Sequence, residues 1–532
     1  MISRDELIRQ ACNDVIAEFL SSNQKPSAAE LRHILYNRIF EFIERENVNR
    51  GKGRSRLPLP EALPNYAVAC AIAFLEEIRI IDLAASTRDK NNGLYIYNRT
   101  SGLYELCSKS RGDTLMRLAM QYRTNIGAKD AAEIISYLRV MSEVVTETKD
   151  PNLLFVGNGI FNLTTKKLQQ FSPDYVSVKK IKTCYDENAK NVVIHNDRDG
   201  TDWDFDSWFN GLSDDPEVIK LLWQVIAAST RTNVRWGKAI FLYSEVGNNG
   251  KGTLCRLIRN LLGDENVACI AINEFSQPYM LSQLIGATAV ICDEVDVAAY
   301  SEKNAVFKSV VTADAVQINV KYEDPVTVEF NGIVIECLNG FPKSADKSGS
   351  FYRRCLFIPF DKNYSVGERK YIKSDYIQRP EVLQYVLKKA IEIPYFEEFD
   401  EPEVCKKLLE EYKQENDSVI CFLEDILPEM QWDLLPYKLL GSLYQKWYLE
   451  ANPAGRVAGI ESVSRRIRSI IRDGRFPEWT ITKECPLDAG KYMVGIDPVV
   501  RRYELKQWYC PKDNHKNYRG IARISALEER EL

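Results

Sequence analysis

The stretch that most constrains this chain is KAIFLYSEVGNNGKGTLCRLIRNLLG, residues 238–263. An apolar run, a glycine-bearing loop and an amphipathic segment closed by Gly263 follow one another without a spacer. That order predicts a buried strand, a tight turn and a helix, the opening of an α/β unit. The loop departs twice from the phosphate-loop pattern G-x-x-x-x-G-K-[ST]. Gly250 and Lys251 are in place, but Glu245 stands where the first glycine belongs and Gly252 where a hydroxyl belongs. Small residues let consecutive backbone N–H groups face a phosphate at the positive end of a helix, and the lysine reaches the outer phosphates. Gly247, Asn248, Asn249, Gly250, Lys251, Gly252 and Thr253 are therefore the candidate cradle for a nucleotide's phosphates. Gly247 supplies one permissive turn position, and Thr253, one residue late, is the nearest hydroxyl for Mg²⁺. By itself the loop leaves two readings open, a nucleotide site or a glycine-rich turn that contains a lysine.

Three later segments favour the nucleotide site. ATAVICDEVD (residues 287–296) is a buried strand that ends in Asp293 and Glu294. A first carboxylate there holds Mg²⁺, directly or through water, and a second orients the attacking water. FNGIVIECLNGFP (residues 330–342) is another apolar strand, ending at Asn339, whose amide can position water. Alone it would be an ordinary Asn-Gly turn. In SGSFYRRCLFIPF (residues 348–360), Arg353 and Arg354 precede a further buried strand. A guanidinium supplied by a neighbouring subunit neutralises charge on a transferring phosphoryl group.

Around this core the chain divides into four parts. Residues 1–145 form a mostly helical accessory domain, opened by the N-cap candidate Ser3. They carry a basic loop, NRGKGRSRLPLP, with Arg50, Lys52, Arg54 and Arg56, and a hairpin pattern in GLYIYNRTSGLYEL. Residues 146–235 begin with two short strands in LLFVGNGIFNLTTKKLQQFSP and continue as helices. Residues 236–375 hold the α/β core. Residues 376–532 begin with an acidic connecting helix and then show three helical segments, 417–427, 436–451 and 460–474. A hairpin from WTITKE to KYMVGI follows. That succession reads as a winged helix. In its third helix Ile460, Val463, Ile467, Ile470 and Ile471 form the buried stripe, and Arg465, Arg466, Arg468 and Arg472 lie mainly off it, as a DNA-facing element would place them.

The net charge is only −5, so nucleic-acid contacts must come from local basic patches and not from the whole molecule. The 13 cysteines include no C-x-x-C pair, and the three histidines, His33, His195 and His515, lie far apart, which argues against a zinc ribbon. Such cysteines read as reduced, mostly buried thiols of a cytosolic protein. The charged, helical N-terminus lacks a signal-peptide core, and no run of about eighteen apolar residues would span a membrane.

Asn249-Gly250-Lys251, Asp293-Glu294, VTADAVQINVKYED, NGFP and SGSFYRR, in this order, resemble the motif set of superfamily 3 helicases, a branch of the AAA+ ATPases. Among them the chain looks most like the phage, plasmid and poxvirus primase-helicases, and LLFVGNGIFNLTTKKL is similar to the segment that precedes their ATPase. The resemblance covers roughly residues 150–365. It departs from the family in Gly252, and in ADA where GGD is expected. It implies an AAA+ parallel-sheet core, ATP and Mg²⁺ as cofactors, and a ring homo-oligomer, a hexamer, in the host cytosol. The implied substrates are single-stranded and replication-fork DNA, and phage or host replication proteins the implied partners. VQINVKYEDPVTVEF reads as a β-hairpin. In the family it projects into the ring channel, which makes Lys321 and Tyr322 candidate DNA contacts, with Lys308 on the preceding helix behind them. Two other functions stay open. A bifunctional primase-helicase would need polymerase carboxylates, for which DWDFD (residues 202–206) offers a pair without a histidine motif. An origin-binding protein would use ATP only as an assembly switch.

Overall fold

The glycine loop does join a strand to a helix. The structure, a computed structural model, describes residues 2–50, 55–83, 93–107, 113–295, 304–320, 325–344, 346–451, 457–482 and 486–528. These fall into two compact units, residues 1–406 and 407–532.

The first unit is built on a five-stranded sheet. Its strands, in chain order, are β1 (Ala239–Tyr243), β2 (Val267–Ala268), β3 (Ala289–Cys292), β4 (Ile333–Leu338) and β5 (Cys355–Pro359). They lie side by side in the order β2-β3-β4-β1-β5, all parallel. β1, β3 and β4 are buried along their whole length. Strands covered on both faces need continuous apolar runs, which is why these segments do not alternate. The exception is Glu336 on β4, fully buried with neither carboxyl oxygen hydrogen-bonded. Burial pushes its carboxyl up to about 8; the nearby Ile272 amide pulls the other way without a hydrogen bond of regular geometry. Helix α1 (Lys251–Leu262) turns Leu254, Cys255, Leu257, Ile258, Leu261 and Leu262 inward, and Gly263, at φ 95°, ends it.

The chain leaves β1, crosses to the far edge at β2, returns through β3 and β4, and steps over β1 to β5. β1 is thus the strand at which the winding reverses. In an open parallel sheet a ligand crevice forms beyond the carboxyl ends of the strands at such a point.

Ahead of the core, Ser3 caps the helix Arg4–Ser22, and the hairpin Gly93–Asn98 with Leu103–Leu106 forms in register Tyr97↔Tyr104. The helical N-terminal part also contains a four-stranded sheet, to which Ile78–Asp82 and Glu143–Thr146 contribute a parallel pair. The two strands expected after Asn152 are three: Leu153–Val156, Gly159–Asn162 and Lys167–Gln169 form a meander. The third is exposed on both faces and too short to show a period.

The second unit has the three expected helices, Ser418–Ile426, Tyr437–Ala451 and Ile460–Arg472. The hairpin expected there is corrected. Trp479–Ile481 pairs with Gly520–Arg523, which also pairs with Leu434–Pro436. KYMVGI instead contributes to the helical turn Ala489–Tyr492. About forty residues separate the two real partners, a distance at which local periodicity carries no pairing information.

Candidate functional site

The loop is shaped by two residues with positive φ, Asn248 at 56° and Gly250 at 93°. Asparagine tolerates this region, and glycine enters it without a Cβ penalty. At Gly250 a Cβ would also stand 2.8 Å from Leu212 Cδ2. Asn249 knits the loop together: its amide nitrogen donates to the Val246 carbonyl, and its Oδ1 accepts from the Lys251 backbone N–H at 3.3 Å. Glu245, at the missing glycine position, is exposed and accepts from the Tyr243 hydroxyl at 3.0 Å. The departure from the usual pattern therefore costs the loop little.

Lys251 is the best-defined member of the site, with only 4% of its surface exposed. Its Nζ donates to the Leu338 carbonyl at 2.7 Å, to Asn339 Oδ1 at 2.9 Å and to the Ser244 carbonyl at 3.2 Å. Burial lowers its pKa, because a cation loses water there. All three acceptors lie at the carboxyl ends of β1 and β4. The parallel sheet thus brings the lysine and Asn339, 88 positions apart, into direct contact. A polar residue at the end of a central strand is a weak sequence signal, and the contact gives it a role.

Asp293 arrives from the end of β3. Its Oδ1 is buried and has no hydrogen-bond partner, while Glu294 beside it is exposed. A buried carboxylate oxygen without a donor is an expensive arrangement that a cation would relieve. The residues thus fit a hard divalent cation at Asp293. Thr253 lies half-exposed in the first turn of α1. Two groups went unnoticed in the sequence. Cys255 and Cys337 meet with their sulfurs 3.3 Å apart, and both lie close to Asp293. Lys373 Nζ stands 3.2 Å from where a Cβ on Gly252 would be, so a side chain there would crowd it. Separations of 82 and 121 positions hide both from motif reading.

The arginines lie elsewhere. The Arg354 carbonyl accepts from the Ala239 N–H at 2.7 Å, which puts it at the opposite, amino-terminal edge of the sheet. Its guanidinium donates to Ser350 Oγ at 2.8 Å, and its Nε is buried without a partner. Arg353 is exposed. Lys308 is held by Asp346 at 2.7 Å. The hairpin that follows pairs Ala315–Ile318 with Val326–Glu329, and the expected DNA contacts Lys321 and Tyr322 lie outside the described residues. In the second unit Arg466 is tied to the fully buried Asp417 at 2.7 Å, whereas Arg465, Arg468 and Arg472 are exposed, Arg468 lying over the Tyr437 ring. The DWDFD carboxylates are each engaged: Asp202 with His195, Asp204 as the cap of the helix Phe205–Asn210, and Asp206 as acceptor from the Tyr385 hydroxyl.

Residues 242–354, which run from β1 to Arg354, match the family described as "Family of unknown function (DUF5906)". Residues 74–211 match the one described as "D5 N terminal like", which fits the primase-helicase resemblance drawn from the sequence. Among solved structures, two titled as A-form apo structures of the NrS-1 C-terminal region are 14% identical. They cover 84% and 86% of this chain and 97% and 98% of their own, at a TM-score of 0.41. Among the described residues no helix is long and apolar enough to cross a membrane.

Proposed function

We propose that this chain is an ATP-dependent DNA helicase of replication that works as a ring of identical subunits. The observation that carries the reading is the convergence of Lys251, Asn339 and Asp293 at the carboxyl edge of the parallel sheet, beside the first turn of α1. The loop amides and Lys251 would receive the ATP phosphates, the lysine exchanging its strand-end carbonyls for phosphate oxygens. Asp293, with Thr253 or a water, would hold Mg²⁺, which when bound neutralises phosphate charge. Glu294, exposed at the mouth, would orient the attacking water, and Asn339 would fix both Lys251 and that water.

The amino-terminal position of Arg354 supports a role in trans. Five residues of β5 separate it from the loop edge, about 16 Å at the usual rise of a strand. A side chain there serves a neighbour's nucleotide better than its own. Arg353, exposed beside it, is the reserve. In the second unit the order helix, strand, helix, helix, strand, strand supports a winged helix with a long insertion in the wing. Arg465, Arg468 and Arg472 would then face DNA, and Lys321 and Tyr322 would reach a single strand in the ring channel.

The test is strand displacement with and without ATP, run beside Glu294→Gln. Wild type should unwind only with ATP, and the variant should bind ATP without turning it over. ATP-stimulated DNA binding without displacement would favour the assembly-switch reading instead.

A further inference from the structure

Cys255, Cys337 and Asp293 come from three different elements, α1, β4 and the turn after β3, yet one ligand atom of each lies within 4.8 Å of the others. The sulfurs are 3.3 Å apart, both cysteines are free, and both are buried. Zinc bound tetrahedrally at the usual Zn–S length of about 2.3 Å spaces its sulfur ligands roughly 3.8 Å apart. The observed spread brackets that spacing, so small side-chain adjustments would close the site. The third donor is a carboxylate oxygen of Asp293, and the Oδ1 of that carboxylate is buried without a hydrogen-bond partner. Asp293 is itself half-exposed, which leaves a cation an approach from the loop side.

We propose that Cys255, Cys337 and Asp293 form a binding site for a thiophilic divalent cation, zinc, at the inner end of the glycine-loop crevice. Binding releases the two thiol protons to solvent and makes two metal–sulfur bonds and one metal–oxygen bond, leaving a fourth position for water. Soft thiolates select zinc over magnesium, whereas the carboxylate alone suits the harder ion. Because both ions would use Asp293, zinc would exclude the magnesium-dependent nucleotide complex. That consequence rests on the nucleotide reading; the metal site does not.

The full-length, reduced protein would be titrated with Co²⁺ as a spectroscopic stand-in for zinc, without nucleotide. The expected result is a thiolate-to-cobalt charge-transfer band that zinc displaces. It should be lost in Cys255→Ser and in Cys337→Ser and weakened in Asp293→Asn, while Cys405→Ser retains it. Wild-type protein needs no variant for the second measurement: zinc should protect Cys255 and Cys337 from alkylation, read by peptide mass spectrometry. Absence of the band, its survival in Cys255→Ser, or equal alkylation with and without zinc would overturn the proposal. So would a Cys255–Cys337 disulfide that persists under reduction. A cobalt band in a protein that binds no ATP would leave the metal site standing and remove the nucleotide reading.

Discussion

The two edges of the central sheet differ in kind. At the carboxyl edge, groups from β1, β3, β4 and α1 converge, and the key cation, Lys251, is buried and held by three oxygens. At the amino edge two adjacent arginines stand at the start of a single strand, one exposed and the other turned back onto Ser350. The first edge gathers buried groups from several elements, and the second presents one exposed arginine beside one held by its own turn. Parallel strands explain the contrast: loops that follow strands gather at one end, and loops that precede them gather at the other. On the proposed reading, in which the two edges are the halves of a phosphoryl-transfer site, one chain could not close that site alone, and this is the reason the proposal includes a ring.

The largest effect should come from the carboxyl edge. Lys251→Ala is expected to abolish ATP turnover while thermal unfolding stays near wild type, since the carbonyls it leaves at the strand ends can take water from the crevice. Unchanged steady-state ATPase in a folded variant would end the nucleotide reading.

The amino edge should matter almost as much, but only across a boundary. Arg354→Ala is expected to bind ATP and lose about three to five orders of magnitude in turnover. Mixing it with Lys251→Ala should restore some activity, because some interfaces then pair an intact loop with an intact arginine. Arg353→Ala run alongside decides which of the two acts. Separately inactive variants that stay inactive at every mixing ratio, with subunit exchange demonstrated, would place both edges' functions within one chain.

Between the edges, Glu336 in β4 should show as a pH effect on stability. Its folded carboxyl is raised to about 8 from an ordinary 4.5. The neutral form is favoured on folding, so its contribution is complete below about pH 4.5 and is lost as the pH rises toward 8. Glu336→Gln should remove a pH-dependent loss on the order of a few kcal/mol across that window, read from denaturant midpoints. Parallel curves for variant and wild type would show that the carboxyl is already solvated.

The smallest effects belong to the second unit, where neighbouring arginines should separate. Arg466→Ala removes the guanidinium that donates to the buried Asp417 and should cost roughly 1–3 kcal/mol, discounted for the partial exposure of the arginine. Arg465→Ala and Arg472→Ala should leave stability nearly unchanged, and each should lower the salt slope of DNA binding by about 1. Equal stability losses at all three would make this helix a structural element only.

From the sequence alone, the strand–loop–helix unit could be read because its signals are local: an unbroken apolar run, glycines where φ turns positive, and a helical stripe closed by Gly263. The three helices of the second unit were legible for the same reason. The strands that end before Asp293 and Asn339, and the one that follows Arg354, were legible because each is an apolar run. What only the tertiary structure decided depends on strand order and on which ends meet. It joined Lys251 at the start of α1 to Asn339 at the end of β4, brought Cys255 and Cys337 together beside Asp293, and sent the arginines to the far edge. It also paired Trp479–Ile481 with Gly520–Arg523, and it bound Arg466 to Asp417 while leaving Arg465 exposed. Periodicity tells a residue which face of its own element it occupies. Contact between residues 80 or more positions apart follows from the order in which the strands lie in the sheet, a cooperative outcome of burying all five strands at once.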